Sequence, residues 1–556
     1  MNSLRLLGLF LTVGGISVTT PVTAQKSTSQ DYSWNRLPVI QQPVFKKDTF
    51  SIVAFGAKAD GITLNTASIN NAIDACSKKG GGVVLIPEGL WMTGPVVLKN
   101  NVNLHLKRAA ILQFTGDFDQ YPLVEGNFEG VRSARNQSPL SAANAENIAV
   151  TGAGVIDGNG SVWHMGFRDR FTEREWKKKI ASGGIVSEDG SRWFPTEKTL
   201  KGHLTRDNGI LKDGKTLKDF EHVKDYLRPN MVVFTSCKKV LLEGVTFQNS
   251  PAWCLHPLMC EDITLRNVYA KNPETAPNGD GLDLESCKNV LVEGCTFDVG
   301  DDGICIKSGR DEEGRKRGMP TENAIIRNNI VYHAHGGVVI GSEMSGGARN
   351  IFVENCSFIG SDKGLRFKTA RGRGGVVEKI YVRNIAMRNI VGEAIYFDMY
   401  YFTKPPAGVV VEAAPAVTEA TPQFRDFYIT NVVCNGATKG IFMRGLPEMH
   451  VKNIQLSNIV LKVNKGVELI ESSNVTLKDI QVVAEQNNPV VYLENAKGIT
   501  VDNINYGKNV PLLLRVSGKN SSDIKLLNTN TAGATQVSEF LHEAAEKALS
   551  ISTAKK

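Results

Sequence analysis

No stretch of the 556-residue chain is apolar over the roughly 20 residues that a membrane helix needs. Its nine cysteines show no Cys-x-x-Cys pair and no Cys/His zinc spacing, so neither a redox motif nor a structural zinc site is indicated. Charge of one sign is not in large excess: 64 Lys+Arg against 57 Asp+Glu leaves +7, too little on this length to define a nucleic-acid binder, although Lys363, Arg366, Lys368, Arg371 and Arg373 lie close together. There is no glycine-rich phosphate loop in a strand-to-helix context and no basic surface interleaved with aromatics. A collagen period is missing as well, and 42% hydrophobic with 22% charged residues excludes a disordered tail and a coiled coil.

Glycine is what the chain has in excess. Its 53 copies exceed the usual share of about 7%, and without low complexity they point to many tight turns. The first residues read as an address rather than as part of the fold. Arg5 is the only charge before Lys26, Leu6 to Val13 is apolar, and Val22-Thr23-Ala24 offers a small-residue cleavage site. Residues 1–24 are therefore expected to be a signal peptide, and the mature chain to be exported to the periplasm or medium. Nine thiols in an exported protein cannot all pair, and most of them sit in apolar strand patterns. Buried free thiols, with zero to two disulfides, are expected.

One phrase recurs along the chain. It begins at Cys237-Lys-Lys-Val-Leu-Leu-Glu-Gly, returns at Cys260-Glu-Asp-Ile-Thr-Leu and again at Cys287-Lys-Asn-Val-Leu-Val-Glu-Gly, with weaker copies to the C-terminal end. Aligning Val240, Ile263, Val290, Ala324, Ile351, Ile380, Phe427, Ile454, Val475, Ile499 and Ile524 gives steps of 21 to 47 residues, mostly in the twenties. Each copy alternates apolar and polar residues and ends in Gly, Asn or Asp, the signature of a strand and a turn. No helical period lies between the copies. The leucine frame of leucine-rich repeats is missing, and a propeller would need about 40 residues per unit. The pattern predicts an all-β, single-stranded parallel β-helix. Its open ends need covers. Ile69, Ala72, Ile73 and Cys76 at helical spacing predict an N-terminal capping helix, and Val537, Phe540, Leu541, Ala544 and Ala548 predict a C-terminal one. The expected division is 25–130 for the N-terminal cap and first coils, 131–534 for the catalytic β-helix and 535–556 for the C-terminal capping helix. Segments 167–228 and 403–423 break the rhythm and are expected to be insertions shaping a binding face.

A second phrase carries the chemistry: Gly281-Leu-Asp-Leu-Glu-Ser, Gly303-Ile-Cys-Ile-Lys-Ser, Gly337-Val-Val-Ile-Gly-Ser and Gly364-Leu-Arg-Phe-Lys-Thr. Stacked at about 4.8 Å per coil, it turns Leu282, Leu284, Ile304, Ile306, Val338, Ile340, Leu365 and Phe367 inward. Asp283, Glu285, Lys307, Arg366 and Lys368 then form an outer ladder. Asp280 and Asp302 precede the glycine in successive coils, and Asp301 and His335 occupy the position before. Carboxylates this close cannot all ionise freely, which keeps an acid protonated beside a base, as glycoside hydrolysis requires. Each residue alone has a plainer reading: a turn aspartate, a hydrogen-bonded histidine, a Lys307–Glu285 pair worth at most about 1 kcal/mol if exposed. Their coincidence on consecutive coils favours catalysis.

These residues resemble the polygalacturonase family, glycoside hydrolase family 28. The family's Asn-Thr-Asp matches Asn278-Gly279-Asp280, its Gly-Asp-Asp matches Gly300-Asp301-Asp302, its Gly-His-Gly matches Ala334-His335-Gly336 and its Arg-Ile-Lys matches Arg366-Phe367-Lys368. Phe55-Gly-Ala-Lys-Ala-Asp-Gly61 and Gly80-Gly-Gly-Val-Val-Leu-Ile-Pro87 are similar to the family's opening, and the likeness runs from Phe55 to at least Ile390. The resemblance implies a right-handed, pectin-lyase-like β-helix and inverting hydrolysis of α-1,4-galacturonosyl bonds. It makes Asp301 the general acid, Asp280 and Asp302 the activators of water, and His335 the partner of Asp301. Arg366 and Lys368 would hold substrate carboxylates, and Asn278, Lys307 and Tyr396 are taken as further substrate-binding residues. No metal or cofactor is implied. The partner is an acidic polysaccharide, pectin or its oligogalacturonides, bound by a monomer. Related rhamnogalacturonan hydrolases tend to lack the His and the Arg-x-Lys pair, so a galacturonan backbone is favoured, with hydrolysis of a related pectic backbone, rhamnogalacturonan or xylogalacturonan, as an alternative. A pectate-lyase-like eliminase on the same fold and a non-catalytic polysaccharide-binding β-helix are the alternatives. The insertions are expected to close one end of the groove and make the enzyme exo-acting. One tension is strand parity, which by simple alternation would turn Asp280 and Asp302 inward unless the glycines break it.

Overall fold

The computed structural model describes residues 32–403 and 414–552. The expected signal segment 1–24 and part of the expected insertion 403–423 lie outside the described residues. The chain divides into a unit Met1–Leu37, whose described part holds a Ser33–Arg36 bridge, and a unit Pro38–Lys556 that carries the solenoid. Among the described residues no helix is long and apolar enough to cross a membrane.

The repeat read from the sequence is the register of the fold. Val240 pairs with Ile263, Ile263 with Val290, Val290 with Ala324 and Ala324 with Ile351. The ladder continues through Ile380, Phe427, Ile454, Val475 and Ile499 to Ile524, each residue parallel to the next. Every inward position of that column is buried in one continuous core, from Ile52 to Leu526. Asparagine turns the corners. Asn355, Asn384, Asn431 and Asn458 all take a left-handed backbone, and the side-chain amides of the last three each donate to the side-chain carbonyl of the Asn one coil back, at 2.7–3.0 Å. Asn tolerates that conformation and stacks its amide at the coil spacing, which explains its recurrence at phrase ends.

The helix Thr66–Lys78 lies where the N-terminal cap was expected, burying Ile69, Ala72, Ile73 and Cys76. The C-terminal capping helix expected within 535–556 is not formed. Ala534–Leu541 instead pairs parallel with Val510–Ser517, and Leu549–Ser552 with Ser522–Leu527, leaving only a short 3₁₀ turn at Glu546–Ala548. The preceding coil presents an unpaired strand edge, and Val537, Phe540, Ala544 and Leu549 still reach the core from an extended chain. Ladder hydrogen bonds and burial together override the helical propensity of the segment. All nine cysteines are buried and none is in a disulfide.

The expected insertion 167–228 leaves the solenoid after Val155–Asp157 and rejoins it at Val232–Thr235. It holds the helices Glu173–Ala181 and Glu197–Thr205, a small antiparallel sheet and the 3₁₀ segment Leu217–Tyr226. A second excursion carries no sequence signal that set it apart from the coils: the antiparallel hairpin Leu123–Phe128/Val131–Asn136, whose turn falls at Glu129–Gly130. The expected boundary at residue 130 therefore lies in a hairpin turn. Leu123 and Ala134 of the hairpin pack with Leu211, Phe220, Val223 and Leu227 of the insertion in a small core of their own.

Candidate active site

The strands Leu282–Glu285, Asp302–Lys307, Gly336–Ile340, Leu365–Lys368 and Glu393–Asp398 stack in parallel. Their outward column runs Asp283, Cys305, Val339, Arg366 and Tyr396. Leu282, Ile304, Val338 and Leu365 face the core, as expected. The glycines before them also face inward. A Cβ on Gly281 would stand 2.7 Å from the Phe297 ring, on Gly303 2.5 Å from Val331, and on Gly337 2.4 Å from the Phe358 ring. Two successive inward residues reset the alternation, so the preceding acids turn to the outer face. That resolves the parity conflict. Asp280 and Asp302 are buried, at 3% and 1% exposure, yet on the groove side, where side-chain oxygens of Asp280, Asp301 and Asp302 lie within 4.8 Å of one another.

The fourth expected catalytic residue joins them. His335 Nδ1 lies 3.0 Å from Asp301 Oδ1, and its Nε2 lies 3.7 Å from Asp362. The hydrogen bond to Asp301 raises the imidazole above its ordinary value, against an opposing effect of burial. Asp302 accepts from Arg366 at 3.0 Å and from Lys368 at 2.7 Å. Gly336 sits opposite Asp302 one coil on, and its missing side chain leaves Arg366 room to reach across. Burial alone would push the Asp302 carboxyl up. Lys368, Arg366 and Lys307 outweigh it and hold that carboxyl well below the usual range. Asp280 has no such partners: its Oδ1 is buried without a hydrogen bond. Burial, then the charges of Asp301 and Asp283, push its carboxyl well up. Two carboxylates one coil apart thus differ sharply in proton affinity.

The expected substrate-binding residues are placed less uniformly. Arg366 and Lys368 reach the site, but their charges are already committed to Asp302. Lys307 is buried, held between Asp283 at 3.5 Å and Glu343 at 3.0 Å, with its ammonium 4.7 Å from the Trp253 ring. It braces the floor of the groove from within, because two carboxylates and an indole enclose it. The Glu285 considered as its partner bonds instead to His256 and Arg317. Asn278, with a left-handed backbone, accepts from Arg228 at 2.8 Å. Tyr396 stacks on Phe442 and donates its hydroxyl to Asp398 at 2.6 Å, one coil beyond Arg366. Three carboxylates this close have the donor set for a divalent cation. The two cations already on Asp302 serve the same neutralising purpose.

Several contributors escaped the sequence reading. Arg228 donates to the carbonyls of Pro251 and Pro277 and to Asn278, tying the insertion to the strand-entry turns. Nothing in the insertion's charged composition singled it out. Glu343 follows the phrase Gly337–Ser342 directly, a position the stacking argument could have flagged as the partner of Lys307. The hairpin lies over the outer face of the earlier coils. Asn127 donates to Glu285 at 3.2 Å, Glu129 pairs with Arg310 at 2.9 Å, and the Arg132 amide donates to Glu313 at 2.9 Å. Beneath it a 310 Å³ cavity runs between Asn127 and Arg135 on one side and Val233, His256 and Leu258 on the other. The hairpin roofs the groove over the strands that precede Asn278.

The sequence pattern of glycosyl hydrolases family 28 matches residues 196–421, and that of the rhamnogalacturonase A/epimerase, pectate lyase-like group matches residues 49–216. A hyperthermoactive exopolygalacturonase from Thermotoga maritima is 31% identical in sequence. That likeness covers 84% of this chain and 93% of the other, with a TM-score of 0.65. A family 28 exopolygalacturonase from Yersinia enterocolitica is 25% identical over 87% of this chain and 78% of its own, with a TM-score of 0.56. A probable polygalacturonase of Vitis vinifera is 28% identical over 74% of each chain. With four motifs in order, one parallel β-helix and a structural relative above 30% identity, the chain belongs to glycosyl hydrolase family 28.

Proposed function

We propose that the protein is an exported polygalacturonase that hydrolyses α-1,4-galacturonosyl bonds of homogalacturonan with inversion, working from a chain end. The observation that carries this reading is the unequal set of acids. One carboxylate is pinned by two cations, one is left without a partner and with raised proton affinity, and a third is paired with an imidazole. In the reading, the Asp301–His335 pair holds the proton to be delivered, and Asp301 gives it to the leaving glycosidic oxygen. Water attacks the anomeric carbon, held by Asp302, which stays anionic under Arg366 and Lys368. Asp280, the stronger base of the two, accepts the proton that water loses. His335 then passes a proton from solvent to Asp301, and Asp280 releases to solvent the proton it took from water, which together restore the starting state. The transfer between His335 and Asp301 runs along their 3.0 Å hydrogen bond.

The carboxylate oxygens lie within 4.8 Å of one another, closer than the about 6.5–9.5 Å common for an inverting pair. That rule assumes one base across the sugar from one acid. In the proposed mechanism two carboxylates act on a single water, so the crowding of Asp280 and Asp302 does not argue for a covalent intermediate. The eliminase alternative lacks a free base: burial pulls Lys368 down, but Asp302 together with Tyr401 and Cys305 more than reverses it, and Asp302 with Tyr401, Tyr396 and Asp301 does the same for Arg366. Exo action is supported by the roofed end of the groove and by the exopolygalacturonases among the relatives. The test is digestion of polygalacturonate, with the first product followed by NMR. Short products from the outset and a newly formed β-anomer are expected. A broad early ladder would exclude exo action, an α-anomer would exclude inversion, and a product absorbing in the near ultraviolet would indicate elimination.

A further inference from the structure

The roofed end of the groove holds charge that catalysis does not use. Arg135 leaves the hairpin and lines two contiguous spaces, the 310 Å³ cavity and a narrow passage beside Trp253, Ala252 and Asn278. Arg228 lines the passage as well, and Asn127 and Asn230 face both spaces. The guanidinium of Arg135 lies 4.9 Å from the Phe128 ring, and among the described residues only the Arg228 carbonyl accepts a hydrogen bond from it. Burial, then the charge of Arg228, lowers Arg135 from its ordinary value, and burial lowers Arg228 too. A guanidinium still remains charged at any working pH.

Among the described residues no acid forms an ion pair with either cation, although Glu129 attracts both and Asp280 attracts Arg228. Glu129 is paired with Arg310, and burial followed by the charge of Glu343 raises its carboxyl toward the neutral form. Glu285 is taken by His256 and Arg317, and Glu125 by Arg132. Two like charges are thus enclosed beside a polar passage that opens two residues from Asp280. An anion placed there would relieve their repulsion and fill a bidentate fork.

We propose that Arg135, backed by Arg228, is the carboxylate-reading subsite at the closed end of the groove. Its ligand is the uronate group of the terminal sugar unit, so the enzyme measures chain ends by charge as well as by the hairpin roof. This inference rests on the polyuronate reading above. It adds to that reading because neither arginine lies in the four motifs Asn278–Asp280, Gly300–Asp302, Ala334–Gly336 and Arg366–Lys368.

The experiment uses the full chain and three trigalacturonates: one with all carboxylates free, one methyl-esterified only at the non-reducing terminal unit, and one only at the reducing terminal unit. Wild-type enzyme is expected to lose at least about tenfold in kcat/KM on one of the two esters, since each factor of ten is about 1.4 kcal/mol and a charged fork contact is worth at least that. Arg135→Gln should lose a similar factor on the free trimer, mainly through KM, and no longer distinguish that ester. Arg135→Lys should recover part of the discrimination. Equal wild-type rates on all three substrates would overturn the subsite, whether or not the variants fold. So would a folded Arg135→Gln enzyme that keeps the discrimination. If wild-type enzyme releases no reducing sugar from polygalacturonate itself, the underlying reading fails, and that outcome is separate from the two above.

Discussion

Asp280 and Asp302 stand in one column, yet their neighbours give them opposite burdens. Asp302 has two cations within 3.0 Å, while Asp280 Oδ1 has no hydrogen bond. Asp280→Asn should therefore lose roughly 100- to 10,000-fold in kcat. The same change should stabilise the protein at neutral pH, because a carboxyl whose proton affinity folding raises costs stability when ionised and a neutral amide does not. Activity assay with denaturant unfolding checks both halves, and a less stable variant would contradict the assignment. The sign follows from linkage. A carboxyl raised by folding costs stability when ionised, and the cost disappears as pH falls below its raised value. Glu343 behaves oppositely. Burial pushes it up, but Lys307 and Lys368 bring it down to about 2, so its contribution is present above the ordinary carboxylate range and is lost as pH falls toward 2. Lys368→Met would leave Asp302 one ion pair, to Arg366, and the more distant charge of Lys307, at a cost near the lower end of about 3–5 kcal/mol, read by denaturant unfolding. His335 sets the other pH limb. Raised by Asp301, it stays protonated past its ordinary value and loses the proton as pH climbs further. The alkaline limb of kcat/KM should therefore lie above about 6.5 and vanish or shift in His335→Gln.

At the scale of the strand, the glycines before the core residues decide which way the acids point. Gly303 faces Val331 at 2.5 Å from a virtual Cβ. Gly303→Ala should cost about 1–3 kcal/mol by overpacking. It should also cut kcat more than a distant core change of equal ΔΔG, because Asp302 is the next residue back. A stability loss with unchanged kcat would show that the parity reset does not position the acid. The inward–outward alternation of Leu282–Glu285 and its successors was legible in the sequence, since period 2 and coil repetition are written in residue type. The neutralisation of Asp302 was not. Arg366 and Lys368 stand 64 and 66 residues away, and which anion a cation meets depends on packing across coils. The C-terminal segment shows the same limit. Its apolar spacing fits a helix, but the edge of Val510–Ser517 offers a ladder that a helix could not use.

Across the whole molecule, the hairpin Leu123–Phe128/Val131–Asn136 converts an open groove into one with a roofed end. Replacing residues 124–135 with a tight turn should change the early digestion products of polygalacturonate from short oligomers to a broad ladder. Retention of the short-product pattern would place the end-selectivity elsewhere. The sequence by itself determined the solenoid, its register and the four catalytic candidates. Those features repeat at one coil interval, and any residue pair separated by that interval must be neighbours at about 4.8 Å. Only the tertiary structure decided that the acids face outward, that Lys307 is internal, that the last segment is strand and that a hairpin covers the earlier coils. Those outcomes arise from contacts between segments far apart in the chain, where burial and charge pairing, rather than local pattern, choose the partner.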